Sequence, residues 1–295
     1  MSPSNLVLVT GATGTIGTAV VEALLEAGIP IRAAYNSPRS QAKLKELGAT
    51  ETVQLDMNDS ASLEAAFVGV SQAFLLVPFV PTIVEQGKAL IDAAQKANVN
   101  YVVRLSAIGA APDAALLPGQ WHGQLDEHLK ASGLLYTIVQ PNFFMQNFVT
   151  FYGETINSQN ALYLPYGEAK VSWVDARDIA AVVASCFQHS EDHTGKTYLL
   201  TGSEAPTMNE VAATLSQTLE RTITYYDVTE ADATAAMQQQ GIPEIMVQAL
   251  SDLNGIAKVG YAGVISPDVA TVTGRAARSF SQFVQENQSV WQAKS

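Results

Sequence analysis

Gly11, Gly14 and Gly17 stand three apart in Thr10-Gly-Ala-Thr-Gly-Thr-Ile-Gly17, a spacing suited to holding a diphosphate. In a strand–turn–helix unit the first glycine permits the turn, the second lets backbone approach a phosphate, and the third lets helix pack on strand. Leu6 to Val9 is a short apolar run that suits a strand buried on both faces, and from Thr18 onward apolar residues recur at helical spacing. A helix beginning near Thr15 turns its free N–H groups and positive dipole end toward the anion, so no basic side chain is required. Gly11, Thr13, Gly14, Thr15, Ile16 and Gly17 are therefore the expected dinucleotide-binding turn.

A second group able to do chemistry lies in His122-Gly-Gln-Leu-Asp126, where the histidine and the carboxylate share one helical face. Two readings stand. A His122 near its working pKa and held by Asp126 supplies a proton or orients an acceptor; alternatively the two form a solvated surface pair. Trp121 beside them stacks on a flat substrate or closes the core. His189 and His193 read as part of a solvated loop, with no metal site.

The elements that must position these groups alternate regularly. Strands are expected at Ile29–Tyr35, Glu51–Leu55, Gln72–Val77, Tyr101–Leu105 and Leu135–Val139. Helices are expected between them at Arg39–Leu47, Ala61–Val68, Ile83–Ala97 and Leu116–Ser132. This is the pattern of an α/β, Rossmann-type doubly wound parallel sheet. Right-handed crossovers bring the carboxyl ends of its strands to one rim, with the glycine turn, Val77-Pro78 and Ser106 along it. After Pro141 the regularity falls. Short strands near Ala161–Leu164 and Lys196–Leu200 lie among helices at Arg177–Gln188, Met208–Leu219, Ala231–Gln240 and Arg275–Glu286. The expected division is a dinucleotide-binding domain over 1–150 and a smaller C-terminal α/β substrate lobe over 151–295, with some exchange of chain between them and the lobe lying over the rim.

Composition narrows the partners. The 295 residues carry 16 Lys+Arg against 28 Asp+Glu, a net charge of -12 that repels phosphate polymers and anionic membranes, so direct nucleic-acid binding is not expected. The opening Met-Ser-Pro-Ser-Asn leads straight toward the first strand without a charged leader and apolar core, and no later run is long enough to span a bilayer. The expectation is a cytoplasmic protein. The single cysteine, Cys186, reads as a small buried hydrophobe. Apolar helices such as Val84–Ala97 and Leu116–Ser132 either cover the sheet or form a homodimer face.

Cofactor choice is read at the end of the second strand, about twenty residues past the glycines, where an acid selects NAD and a basic residue accepts a 2′-phosphate. The stretch Arg32-Ala-Ala-Tyr-Asn-Ser-Pro-Arg39 has no carboxylate. Arg39, with Asn36 beside it, favours NADP(H), and NAD(H) is also admitted. Asp56 after the third strand bonds an adenine amino group or caps the next helix, although Asp59 or Ser60 is better placed as the cap.

Taken together, Thr10-Gly-Ala-Thr-Gly-Thr-Ile-Gly17, Leu55-Asp-Met-Asn-Asp59, Ala73-Phe-Leu-Leu-Val-Pro78, Val102-Val-Arg-Leu-Ser-Ala107, Ser132 to Asn147 and Val174-Asp-Ala-Arg-Asp-Ile-Ala180 resemble the NmrA-like branch of the atypical short-chain dehydrogenase/reductases. The branch holds type-two NAD(P)H:quinone oxidoreductases, triphenylmethane-dye reductases and non-catalytic NADP(H) sensors, and the resemblance implies a reductase that passes hydride from NAD(P)H to a quinone or similar flat conjugated electrophile, with a sensor acting through a protein partner as the alternative. Two departures stand out. Asn36 replaces a common arginine, and Gln140-Pro141 replaces Arg-Pro. The Tyr-x-x-x-Lys pair of ordinary short-chain dehydrogenases is missing, and Ser106 sits where relatives place an active-site serine. Quinone reduction tolerates that loss, because it is strongly downhill and its product is a stabilised anion. It needs a flat apolar slot, for which Phe79, Trp121, Phe143 and Phe144 are the candidate walls, with Asn142 anchoring a carbonyl oxygen or fixing the loop. Phe148, Tyr152 and Trp173 are further candidates.

Overall fold

A computed structural model of the chain describes residues 6–292. Met1–Asn5, and with them the reading of the opening segment, lie outside the described residues. The first half runs β1 (Val7–Val9), α1 (Thr15–Glu26), β2 (Ile31–Tyr35), α2 (Pro38–Glu46), β3 (Glu51–Gln54), α3 (Ser60–Phe67), β4 (Gln72–Leu75), α4 (Ile83–Lys96), β5 (Tyr101–Leu105), α5 (Leu117–Ala131) and β6 (Leu135–Pro141). It continues with α6 (Asn147–Thr150), α7 (Gly153–Gln159), β7 (Ala161–Leu164), α8 (Ala176–Gln188), α9 (Ser190–His193), β8 (Thr197–Leu200), α10 (Met208–Leu219), β9 (Thr224–Asp227), α11 (Glu230–Gln239), α12 (Glu244–Lys258), α13 (Asp268–Thr273) and α14 (Phe280–Asn287).

Seven strands form one sheet in the order β3-β2-β1-β4-β5-β6-β8, and the pairs from β3 through β6 are all parallel. This is the doubly wound Rossmann-type sheet expected from the alternation. Strand order reverses between β1 and β4, which makes that crevice the place where such sheets bind ligands. Thr10 ties the two carboxyl ends together there. Its Oγ1 accepts from the Leu76 N–H at 2.8 Å and donates to the Leu76 carbonyl at 2.9 Å. β1 is wholly buried because helices cover both faces, and α1 turns Ile16, Gly17, Val20, Val21 and Leu24 inward at helical spacing. Cys186 on α8 is fully buried, and burial pushes its thiol up to about 12.

The chain forms two compact units. The first takes the residues up to Ala115 with Gly119–Gln140 and Ala176–Leu199; the second takes Leu116–Pro118, Pro141–Asp175 and the chain from Leu200. The change of unit thus falls at Gln140 rather than at 150, and α8 with most of β8 returns to the first unit. The second unit holds a two-stranded parallel sheet of β7 and β9. Its core is aromatic, with Phe148 at 4.8 Å from both Trp173 and Phe280 by ring centroids. β7 and α10 occupy their expected residues. Of the helix expected over Arg275–Glu286 only the later part forms, as α14 from Phe280, and α13 precedes it. Gly274 in the left-handed region (φ 69°) stops α13, and the Ser279–Gln282 capping box starts α14. β9 and α12 have no counterpart in the sequence reading. No described helix is long and apolar enough to cross a membrane.

Candidate functional site

The three glycines do three different things. Gly11 has φ 62°, a conformation that L side chains rarely adopt, and it makes the turn out of β1. A Cβ on Gly17 would lie 2.0 Å from the Gly11 carbonyl oxygen and 2.8 Å from the Ala12 Cα, so only glycine lets α1 pack against the turn. Gly14 differs from both. It is exposed, and a Cβ there would meet nothing nearer than the Gly11 carbonyl oxygen at 3.5 Å. As the N-cap of α1 it places no side chain over the helix end, and no acid stands in the first turn. The N–H groups of that turn have no partner within the helix, so open backbone and a positive dipole end fit a diphosphate.

Along the rim, Arg39 is exposed in the first turn of α2, and the adjacent Asn36 is exposed with its Oδ1 accepting from Ser40 Oγ at 3.4 Å. Ser37 is the N-cap of α2 and accepts from the Ser40 N–H at 3.3 Å. Arg32, the arginine shared with the family pattern, is committed elsewhere. It pairs with Glu51 and donates to the carbonyls of Ala66 and Val68 at 3.0 and 2.6 Å. Asp59, not Asp56, caps α3, and Asp56 Oδ1 accepts from the Asn58 backbone at 2.9 Å. Val77 and Pro78 follow β4 in the loop beyond Leu76.

The chemistry on α5 is built differently from the expected His122–Asp126 couple. Asp126 is 3% exposed, and its first partner is Arg104 of β5, itself 2% exposed, through a buried ion pair with Oδ1. Its Oδ2 accepts from Ser106 Oγ at 2.7 Å and from Gln140 Nε2 at 3.3 Å. Burial raises the Asp126 carboxyl above its ordinary range, with Arg104, Ser106 and Gln140 opposing. His122 faces Arg104 instead, with Nδ1 3.2 Å from the second guanidinium nitrogen. A guanidinium only donates, so Nδ1 accepts and the ring proton sits on Nε2. Burial, reinforced by the Arg104 charge, lowers the His122 pKa to about 3. The pair is therefore not a solvated one, and His122 is not a group near its working pKa. Close packing fixes α5 here, since a Cβ on Gly123 would lie 2.0 Å from the Ala111 carbonyl carbon.

A sequence profile of the NmrA-like family matches residues 3–276. The chain belongs to the NmrA-like family. Its sequence is 40% identical over 282 residues to an NAD(P)H azoreductase of Xenophilus azovorans, covering 95% of this chain and 97% of that one. It is 32% identical to a (4-alkanoyl-5-oxo-2,5-dihydrofuran-3-yl)methyl phosphate reductase of Streptomyces griseus, covering 96% and 98%. Among solved structures, the NADPH complex of the Escherichia coli NADPH-dependent quinone oxidoreductase QOR2 superposes with a TM-score of 0.83 at 26% identity, covering 95% of this chain and 98% of that one.

In this NmrA-like protein the expected aromatic walls fall into separate groups. Phe79 and Trp121 meet in the first unit with ring centroids 5.6 Å apart, Trp121 mostly buried. Phe143 packs in the second unit on Trp173 and Tyr166 at 5.6 and 6.4 Å, and Phe144 bridges through its backbone to Val174. Phe148 and Trp173 are buried core residues of that unit. Asn142 is not free to anchor a substrate. Its Nδ2 donates to Ser172 Oγ and the Ala262 carbonyl, both at 2.7 Å, and its Oδ1 accepts from the Phe143 N–H at 2.9 Å, so the amide fixes the loop. Ser106 is likewise spent on Asp126. His193 lies in the short α9 and meets the Tyr198 hydroxyl at 2.8 Å rather than solvent. The residue that sequence reasoning missed is Arg104.

The lowered His122 pKa has a consequence for stability. The fold favours the neutral ring, so the unfolded chain, with histidine at 6.5, binds the proton more readily. Stability therefore falls as pH drops below 6.5 toward 3. Between pH 7 and pH 5 the native protein is expected to lose about 2 kcal/mol more than His122→Gln does. Urea unfolding at the two pH values measures the difference, and equal losses would show that His122 is not held neutral.

Proposed function

We propose that this NmrA-like chain is a reductase that takes hydride from NADPH, and less readily from NADH, and gives it to a quinone or a similar flat conjugated electrophile. The observation that carries the acceptor class is the neutral His122. A histidine with its Nδ1 on a guanidinium offers a hydrogen bond from Nε2 but no transferable proton at neutral pH. Acceptors whose reduced form is a stable anion suit such a group; isolated carbonyls, which need an acid, do not. Bound NADPH supplies a hydride, two electrons with one hydrogen nucleus, leaving NADP⁺ and a hydroquinone monoanion that takes its second proton from water.

The chain's own residues supply binding and orientation. Gly14 and the first N–H groups of α1 receive the diphosphate, Arg39 and Asn36 the 2′-phosphate side of the ribose, and Val77 and Pro78 line the rim beyond β4. Phe79 and Trp121 form an apolar wall, and His122 Nε2 donates to the acceptor oxygen as negative charge grows on it. The relatives are named for reduction of an azo group, a quinone and an unsaturated oxo-dihydrofuran, all conjugated electrophiles, which supports this class.

The test is loss of absorbance at 340 nm with purified protein, NADPH or NADH, and a panel of a benzoquinone, a naphthoquinone, an azo dye, a triphenylmethane dye and a simple aldehyde. Turnover is expected with the conjugated acceptors and not with the aldehyde. Preference for the aldehyde would overturn the acceptor class. In the same assay Arg39→Ala is expected to raise KM for NADPH about tenfold, roughly 1.4 kcal/mol, and to leave KM for NADH unchanged. Equal change for both cofactors would remove Arg39 from phosphate selection.

A further inference from the structure

We infer that Arg104 is a positioning residue for the reaction: through Nδ1 it locks His122 as an Nε2–H donor, so the atom offered to the acceptor oxygen is a hydrogen-bond donor at every working pH. The inference rests on the reductase reading above and adds to it the residue that determines what His122 can do.

Arg104 is a charged side chain in the middle of an otherwise apolar buried strand, Tyr-Val-Val-Arg-Leu. Burying a guanidinium costs several kcal/mol unless its donors are matched, and here both ends of its fork meet groups of α5. Asp126 of α5 takes one end of the fork, and His122, one turn earlier on α5, accepts from the other. Ser106 after β5 and Gln140 of β6 hold the second oxygen of Asp126 and keep the carboxylate from turning toward the imidazole. The chain is thus Ser106 and Gln140 on Asp126, Asp126 on Arg104, Arg104 on His122. Arg104 is the charged group facing the ring, and Asp126 faces Arg104.

Had Asp126 met His122 directly, the carboxylate would accept an N–H and favour the charged ring, which gives a general acid. Interposing the arginine inverts this outcome. The cation repels protonation, and its lack of any acceptor forbids a proton on Nδ1. Among the described residues Nε2 has no protein hydrogen-bond partner, so its N–H is left to a ligand. A neutral imidazole of this kind polarises a developing oxyanion without giving up its proton. Ser106 and Gln140, in positions that invite a role against substrate or ribose, belong instead to the support of the carboxylate.

The experiment reads the ring directly. Two-bond ¹H–¹⁵N correlation spectra of the four histidines, assigned with His122→Gln, are recorded from pH 5 to pH 9 on the native protein and on Arg104→Met/Asp126→Leu, which removes both buried charges together. The native spectrum is expected to show an unchanging Nε2–H tautomer at His122. The double variant is expected to show a ring released from that tautomer, with Nδ1–H as well as Nε2–H populated and a pKa raised from the native value but still held below the ordinary histidine range by burial, with kcat for a naphthoquinone about tenfold lower and KM for NADPH unchanged. An Nδ1–H ring or a titrating His122 in the native protein would overturn the inference, as would a double variant whose His122 stays locked. If the native ring is locked but no acceptor is reduced, the reductase reading fails and the positioning of His122 stands.

Discussion

Gly14→Val is expected to weaken NADPH binding about 100-fold, roughly 2.8 kcal/mol, in a protein that remains folded. Gly14 is the rare glycine whose replacement separates binding from folding. Its backbone, at φ −79° and ψ 175°, is extended and open to a β-branched residue, and its Cβ would touch only the Gly11 carbonyl oxygen at ordinary contact distance. What the branched side chain would occupy is the space over the first turn of α1, where the diphosphate lies in our account. Gly17→Ala is the contrasting change. Its methyl would stand 2.0 Å from the Gly11 carbonyl oxygen, so α1 must shift, and lost binding there would report lost packing. Titration calorimetry with thermal unfolding on both variants distinguishes the two. Native affinity in a folded Gly14→Val protein would remove the cofactor from the turn.

Asp126→Leu is expected to cost about 3–5 kcal/mol of stability, because it leaves the Arg104 guanidinium buried without its counter-charge and takes the acceptor from Ser106 and Gln140. For a protein of this size that corresponds to a fall of about 10 °C in Tm. Arg104→Met/Asp126→Leu is expected to recover most of the loss, since a buried ion pair replaced by apolar side chains of similar volume is often close to neutral. Calorimetric Tm values of the two proteins give the comparison. A single variant as stable as the native protein would mean that water or another group already neutralises Arg104.

The first unit was largely legible in the sequence because its signals are local. A strand, a glycine turn and a helix follow one another within twenty residues, and the strand–helix period repeats from β1 to β6. Met208–Leu219 was legible for the same reason, with Thr207 and Glu210 forming a capping box at its start. α12 was not. It begins after Pro243, carries Gly255 near its end and buries only Val247, Ala249 and Ala257, which gives a weak helical period. β9, Thr-Tyr-Tyr-Asp, is mostly exposed and gains its identity only by pairing with β7, more than fifty residues earlier.

The site was half legible. His122 and Asp126 stood out because they share a helix face, but their relation depends on Arg104, which comes from a strand eighteen residues before the histidine. No spacing rule links the two. The one available signal was a charge inside an apolar strand, since arginine is seldom fully buried unless paired. Ser106 and Gln140 became intelligible only once Asp126 was seen to point at both. Asn142 misled for a related reason: an amide beside aromatic residues at a strand end suits a substrate anchor, and only the fold shows that Ser172 and Ala262 take up its donors.

The most direct test of the reductase account is a single turnover. Protein is saturated with NADPH, mixed rapidly with one equivalent of a naphthoquinone, and followed at 340 nm. The account predicts that the bound cofactor is oxidised in one exponential phase, one NADP⁺ forming per acceptor reduced. Cofactor that binds but keeps its absorbance with every acceptor in the panel would contradict it, and would assign the glycine turn to sensing the dinucleotide rather than spending it.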